Sequence, residues 1–204
     1  PTRTGYTFSS WNTQADGNGS TIASGTTVSV TADQTIYAIW TADSYTLTYD
    51  ANSGNACSPG TKSITYASTY GSLCSPTRTG YTFSSWNTQA DGNGSTIASG
   101  TTVSVTADQT IYAVWTANSY SVIFDNDGGS GSMSNQSVDY GVAENLTANS
   151  FTRTGYTFGG WATSSGGSAA YTDGQSYTHS TAGNITLYAV WTANSYSVIF
   201  DNDG

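Results

Sequence analysis

Residues 1–38 of this chain recur without a change as residues 76–113, and that 75-residue offset constrains the fold more than any other feature. Two identical stretches carry one pattern of strands and turns, so the chain reads as an array of a small module rather than as one large domain. Beyond the block the copies drift little: Ile39 becomes Val114, Asp43 becomes Asn118, and Trp40 and Trp115 hold register. A diverged copy begins at Phe151, where Arg153-Thr154-Gly155-Tyr156-Thr157-Phe158-Gly159-Gly160-Trp161 answers Arg78 to Trp86, and one added residue puts its closing Trp at 191. The other half of the period repeats as well, since Ser119 to Gly128 reappears as Ser195 to Gly204. The organisation expected is the C-terminal part of a repeat over 1–43, complete repeats over 44–118 and 119–194, and the first strand of a further repeat over 195–204.

The local patterns are those of strands. Tyr45-Thr46-Leu47-Thr48-Tyr49 and Tyr120-Ser121-Val122-Ile123-Phe124 alternate with period two and read as opening strands. Ser63-Ile64-Thr65-Tyr66, matched by Ser137 to Tyr140, reads as a second strand, and Tyr81 to Trp86 as a third. After the turn Asp91-Gly92-Asn93-Gly94, a fourth is expected over Thr102 to Thr106, and Thr110 to Trp115 closes the unit. Thr116-Ala117-Asn118-Ser119 is then a linker short enough to restrict the angle between neighbours. The fold class expected is mainly β, as tandem modules of about 75 residues in an elongated array, each near the small end of what folds alone.

Composition narrows the chemistry. Thirteen acidic groups face four basic ones for a formal net charge of -9, so the chain repels a phosphate backbone and nucleic acid is excluded as a partner. One histidine and one glutamate, His179 and Glu144, starve acid–base catalysis and metal binding alike, and the chain is expected not to be an enzyme. His179, in the polar run Tyr177-Thr178-His179-Ser180, reads as a solvent-facing residue. Fifteen Tyr, six Trp and six Phe supply the apolar bulk that a disordered tail lacks. No apolar run approaches the length of a membrane span.

Gly80-Tyr81-Thr82-Phe83-Ser84-Ser85-Trp86, followed by Ala90-Asp91-Gly92-Asn93-Gly94-Ser95 and Ile111-Tyr112-Ala113-Val114-Trp115, resembles the Listeria–Bacteroides repeat, the internalin B-repeat type. The segments 45–54 and 120–129 are similar to its opening strand and the acidic, Gly-rich turn that follows. The resemblance covers nearly the whole chain. It implies a small β-grasp-like module found in tandem in large bacterial surface proteins, with no catalytic residues to carry over.

Several residues invite a specific role. Cys57 and Cys74 have Ser132 and Asn149 as counterparts at the 75-residue offset, so they are present together or absent together. That favours a disulfide in an oxidising setting, with two free thiols as the alternative and metal binding short of ligands. Asp125-Asn126-Asp127-Gly128 and Asp16-Gly17-Asn18-Gly19 suit plain turns or weak surface calcium, and no other cofactor is expected. Tyr81, Phe83, Trp86, Tyr112 and Trp115 in one repeat, with Tyr156, Phe158, Trp161, Tyr188 and Trp191 in the next, recur once per unit and are expected to form the repeat core rather than sugar-stacking platforms. Arg3, Arg78 and Arg153 are expected to pair with a local carboxylate or stack on a neighbouring ring.

The function expected is a structural segment of a bacterial extracellular surface protein, a stalk, spacer or fibre, whose partners are neighbouring repeats of the same chain. The alternatives are an adhesive module for a surface glycan or protein, and a filament subunit in which a strand of one chain completes the next.

Overall fold

The computed structural model describes residues 1–201; among them every regular element is a β-strand and none is a helix. The chain divides into two compact units, Pro1–Arg78 with Phe83–Trp115, and Thr79–Thr82 with the residues from Thr116 onward.

The first unit holds strands β1 (Tyr6–Asn12), β2 (Thr21–Ile22), β3 (Tyr37–Ala42), β4 (Ser44–Asp50), β5 (Thr61–Thr65), β6 (Tyr81–Asn87), β7 (Thr96–Ile97) and β8 (Gln109–Ala117), the sixth and eighth reaching past its limits at one end. β4 to β8 form one sheet in the order β5-β4-β8-β6-β7. At its centre the opening strand β4 lies parallel to the closing strand β8, from Leu47 opposite Gln109 to Asp50 opposite Tyr112. A parallel pair needs a long crossover. Here the crossover contains the β5 hairpin arm, the disulfide loop and β6, and no helix. Alternation along β4 and β8 sends Leu47, Ile111 and Ala113 into a core with Ile64, Tyr70, Trp86, Ile97 and Val103. At about 1.5–3 kcal/mol for each large apolar side chain withdrawn from water, this cluster is the main stabilising term of the module.

The second unit repeats the plan with β9 (Ser119–Asp125), β10 (Gln136–Asp139), β11 (Ala143–Asn145), β12 (Tyr156–Ala162), β13 (Ser176–Thr178) and β14 (Ile185–Ala193). Its sheet runs β10-β9-β14-β12, again with the opening and closing strands parallel, and β11 pairs with β13 in a separate ribbon. Val122, Phe124, Val138, Leu146, Phe151, Trp161, Tyr177, Leu187 and Ala189 make its core.

The identical copies differ in burial, and they differ in what lies beside the closing strand among the described residues. Val103 is 1% exposed and Ile111 0%, whereas their identical counterparts Val28 and Ile36 are 53% and 41% exposed. Residues 1–42 form only the sheet β2-β1-β3, with no opening strand beside β3. β3 is accordingly shorter than β8: Gln34 to Ile36, the counterparts of Gln109 to Ile111, lie outside any strand.

Four expectations change. Thr102–Thr106 is not a strand; Thr102 makes one isolated bridge to Thr69, and the partner beside β6 is β7. The chain turns Val103 and its neighbours into the core instead of laying them along an edge. The four-residue linker is absorbed, since β8 runs to Ala117 and β9 starts at Ser119, leaving Asn118 alone between them. Residues 195–201 form no strand, and positions 202–204 lie outside the described residues. Finally, Tyr112, Tyr188 and Tyr156 are not core. Tyr112 and Tyr188 alternate with the buried pairs Ile111/Ala113 and Leu187/Ala189, so strand geometry turns them to the outer face, and Tyr156 is 38% exposed.

Candidate functional site: a joint between successive repeats

With catalytic groups scarce, the recurring structure is the place where one repeat hands over to the next. In the first unit Gly5 has φ +73°, and a methyl group on it would fall 2.3 Å from Cγ of Tyr66. The Tyr66 ring therefore lies flat on the glycine, a position only glycine allows on both counts. The same ring meets Tyr6 edge-on at 5.4 Å between centroids. Backbone bonds close the joint: Asp43 donates its N–H to the Gly5 carbonyl at 3.0 Å, and Tyr66 donates to the Asp43 carbonyl at 2.9 Å. The Thr7 hydroxyl donates to Asp43 Oδ1 at 2.6 Å.

The second unit contains the same assembly. Gly80, at φ +78°, would place a methyl 2.3 Å from the Tyr140 ring, and Tyr81 meets Tyr140 edge-on at 5.5 Å. Asn118 donates to the Gly80 carbonyl at 2.9 Å, Tyr140 donates to Asn118 at 3.0 Å, and Thr82 donates to Asn118 Oδ1 at 2.6 Å. The change from Asp43 to Asn118 is silent here because both supply an acceptor oxygen at the same place. A third glycine, Gly155, has φ +77° and the matching bonds from Asn194 and Thr157, yet nothing lies within 4 Å of where its methyl would be. Tyr66 and Tyr140, matched in sequence one residue out of the 75-residue register, both stand before a residue at positive φ, Ala67 and Gly141; their place on the glycine is set by the fold.

The aromatic set splits by depth. Trp86 and Trp161 are buried, at 2% and 0% exposure, while Phe83, Phe158, Trp115 and Trp191 are half-buried against them. Phe83 bridges Trp86 and Trp115 at 5.5 and 5.7 Å, as Phe158 bridges Trp161 and Trp191 at 4.9 and 5.8 Å. The indole N–H of Trp115 donates to Ala51 O at 3.0 Å and that of Trp191 to Asn126 O at 2.8 Å. Tyr81 belongs to the joint. Arg3 and Arg153 stack over Tyr6 and Tyr156, 3.9 and 4.1 Å from the ring centroids.

Cys57 and Cys74 form a disulfide with Cα atoms 6.1 Å apart. It fixes the Cys74 carbonyl, which accepts the Trp86 N–H at 2.8 Å. In the third repeat Phe151 packs on Trp161 instead, Ser130 and Thr152 pair through their backbones, and Trp161 Nε1 is buried without a partner. Lys62 donates to the carbonyls of Tyr70 and Ser72, the work done by the Gln136 amide on Asn145 in the next repeat. The Tyr49 phenol is pushed up by burial, partly offset by a bond with the Cys74 backbone.

His179 is fully buried, not solvent-facing. Its carbonyl accepts the Gly141 N–H as that of Val103 accepts the Ala67 N–H, so it fills the valine's slot. The ring sits between the Tyr177 hydroxyl and the Gly183 carbonyl, both at 2.9 Å, and beside Tyr120. A local polar run concealed a core position.

The acidic turns spend these carboxylates on hydrogen bonds within the protein, two of them inside their own turn and one to a facing turn. Asp16 accepts from the N–H and side-chain amide of Asn18, Asp91 from those of Asn93, and Asp127 from Ser165 and Gly166. These bonds hold all three carboxyls below their ordinary range. Among the described residues no three His, Cys, Asp or Glu side chains cluster closely enough to hold a metal ion, and no helix is long and apolar enough to cross a membrane.

Comparison with known proteins agrees with this architecture. The family model of the Listeria-Bacteroides repeat domain matches three times, over residues 1–39, 45–114 and 120–190. A putative Gly-rich membrane protein of Evansella cellulosilytica is 36% identical over 214 aligned positions, covering 99% of this chain and 24% of its own length. Internalin H of Listeria monocytogenes is 38% identical over 119 positions, covering 56% of this chain and 20% of its own. The chain thus spans about a quarter or less of these relatives' lengths. Three tandem matches to one model, together covering most of the chain's length, show that the chain belongs to the Listeria-Bacteroides repeat family.

Proposed function

We propose that this chain is a spacer segment of a bacterial extracellular surface protein, in which repeats bounded at 43/44, 118/119 and 194/195 add reach. The observation that carries the reading is the joint itself. The same glycine, tyrosine and Asp/Asn acceptor recur at both hand-overs, with one residue between the closing and opening strands. A module that brings its own joint can be added or lost without designing a new contact, and near-identical copies fit selection on length. The names of the relatives, an internalin and a membrane protein, agree with a cell-surface setting.

Chains of two, four and eight complete repeats test this by small-angle scattering. A compact 75-residue module is roughly 30 Å across. The longest dimension should grow linearly, by about that much per repeat. Growth as the square root of repeat number would mean freely jointed beads and would overturn the spacer reading. Assemblies longer than the covalent chain would move it to a self-assembling fibre.

A further inference from the structure

The outer face of the first unit's sheet has a cleft that the spacer role does not use. Along β8 the outward residues are Thr110, Tyr112, Val114 and Thr116, and the turn after β6 folds back over this face until Gly92 rests 3.6 Å, measured from its would-be methyl, from Val114. Between that turn and the Tyr112 ring lies an open cleft of about 470 Å³ lined by Thr88, Gln89, Ala90, Asp91 and Tyr112.

The turn is held more firmly than an idle surface loop requires. Asn87, 3% exposed, donates its side-chain amide to the carbonyls of Gly92 and Gly94 at 3.0 and 3.2 Å and accepts the Gln89 N–H at 2.9 Å. From the other side, Asn52 donates to Ala90 O at 2.8 Å and to Ala113 O at 3.0 Å, which pins the turn to the strand that carries Tyr112. Asn93 takes one lone pair from each Asp91 oxygen, at 3.0 Å, and keeps that carboxyl ionised. A carboxylate has about four acceptor sites, so each oxygen retains one for a ligand.

We infer that this cleft is a binding subsite for a neutral pyranose ring, with Tyr112 as the stacking face and Asp91 and Gln89 as the hydroxyl-binding pair. A sugar ring offers an apolar C–H face to an aromatic side chain and pairs of hydroxyls at its edge. A fixed carboxylate accepts two such hydroxyls, and an amide both donates and accepts. Asp91 beside the ring, on a chain of net charge -9, disfavours anionic sugars. The same turn recurs in the first copy, where Asn12 binds Gly17, Gly19 and Gln14 and Asp16 binds Asn18. In the third repeat the turn reads Ser164-Ser165-Gly166-Gly167, so no glutamine stands beside Tyr188, and the carboxylate that reaches this turn is that of Asp127, held by Ser165 and Gly166. Binding is therefore assigned to the turn that Asn52 pins beside Tyr112, where carboxylate and glutamine stand together. This inference stands apart from the spacer reading.

The test is amide chemical-shift perturbation on the 204-residue chain with cellopentaose, maltopentaose and chitopentaose as probes, and sialyllactose as the anionic control. At least one neutral probe should give saturable shifts at residues 88–91 and 112, with a dissociation constant of about 1 mM. The exposed substitutions Gln89→Ala and Asp91→Asn, made together with Gln14→Ala and Asp16→Asn, should weaken binding at least tenfold, about 1.4 kcal/mol, without altering the spectrum of the third repeat. Absence of saturable shifts with all three neutral probes, shifts unchanged in that variant, or tighter binding of sialyllactose would each overturn the proposal.

Discussion

Replacing Gly80 by alanine separates what the tyrosine ring contributes from what the backbone conformation costs, because the chain contains its own control. Gly80 and Gly155 share a left-handed backbone, at φ +78° and +77°, and both accept a backbone bond from the following Asn. An L-residue there pays about 1–2 kcal/mol for conformation alone. At Gly155 nothing lies within 4 Å of the new methyl, so the substitution Gly155→Ala should cost only that amount. At Gly80 the methyl would stand 2.3 Å from the Tyr140 ring, more than 1 Å inside ordinary carbon contact, so the ring must retreat. Moving it also separates it from Tyr81 and adds about 1–3 kcal/mol by the measure of overpacked sites. Gly80→Ala should thus exceed Gly155→Ala by about 1–3 kcal/mol. At roughly 4–8 °C of melting temperature per kcal/mol in a domain of this size, calorimetry of the two variants resolves it. Combining Gly80→Ala with Tyr140→Ala should recover the excess, since the clash has no partner left. Equal destabilisation at both glycines would refute the idea that a packed ring secures the joint.

Four further outcomes follow from the geometry. Trp86→Phe should cost about 1 kcal/mol more than Trp161→Phe in denaturant unfolding, because only the first loses an indole bond, the one to Cys74 O. Replacing both Cys57 and Cys74 by serine should remove about 3 kcal/mol from the 44–118 repeat and leave 119–194 unchanged, a contrast that repeat-resolved hydrogen exchange reads directly. The Val103 amide, bonded to Ser68 O at 2.8 Å, should be strongly protected from exchange, while that of Val28, identical in local sequence, should exchange near the rate of an unfolded chain. The Asp127 carboxyl is depressed first by the Gly166 N–H and then by the Ser165 hydroxyl. A depressed folded value gives stability that is present above the unfolded value of about 4 and lost as pH falls through the folded one, so the Gly166 amide signal should shift in acid below about pH 4, and not in Asp127→Asn.

Much of this fold is readable from residue order. Period-two runs placed β4, β6, β8 and β9 within a few residues, and the exact 75-residue copy defined the module. What was not readable depended on partners distant in sequence. Thr102 to Thr106 has the composition of a strand, but the Val103 backbone is claimed by the segment around Ala67 and Ser68, so it enters the core as a bridge. His179 sits in a polar run and is nonetheless buried, since the fold gives it Val103's slot and supplies both ring nitrogens with partners. Tyr66 and Tyr140 look like ordinary strand-end residues. Only the fold brings them onto a glycine of the preceding repeat. Val28 and Val103 mark the limit of any local reading, because one sequence has two burial states.

The single residue between β3 and β4, and between β8 and β9, also bears on how such a chain avoids tangling with itself. Each opening strand needs a parallel closing strand, and near-identical candidates exist in every repeat, the usual setting for strand exchange and misassembly. The nearest candidate in sequence is the closing strand just synthesised. A parallel pairing requires a crossover of a dozen residues or more, and one residue cannot provide it. The joint thus removes the earliest wrong partner before the right one has left the ribosome, and each opening strand waits for its own repeat to be completed.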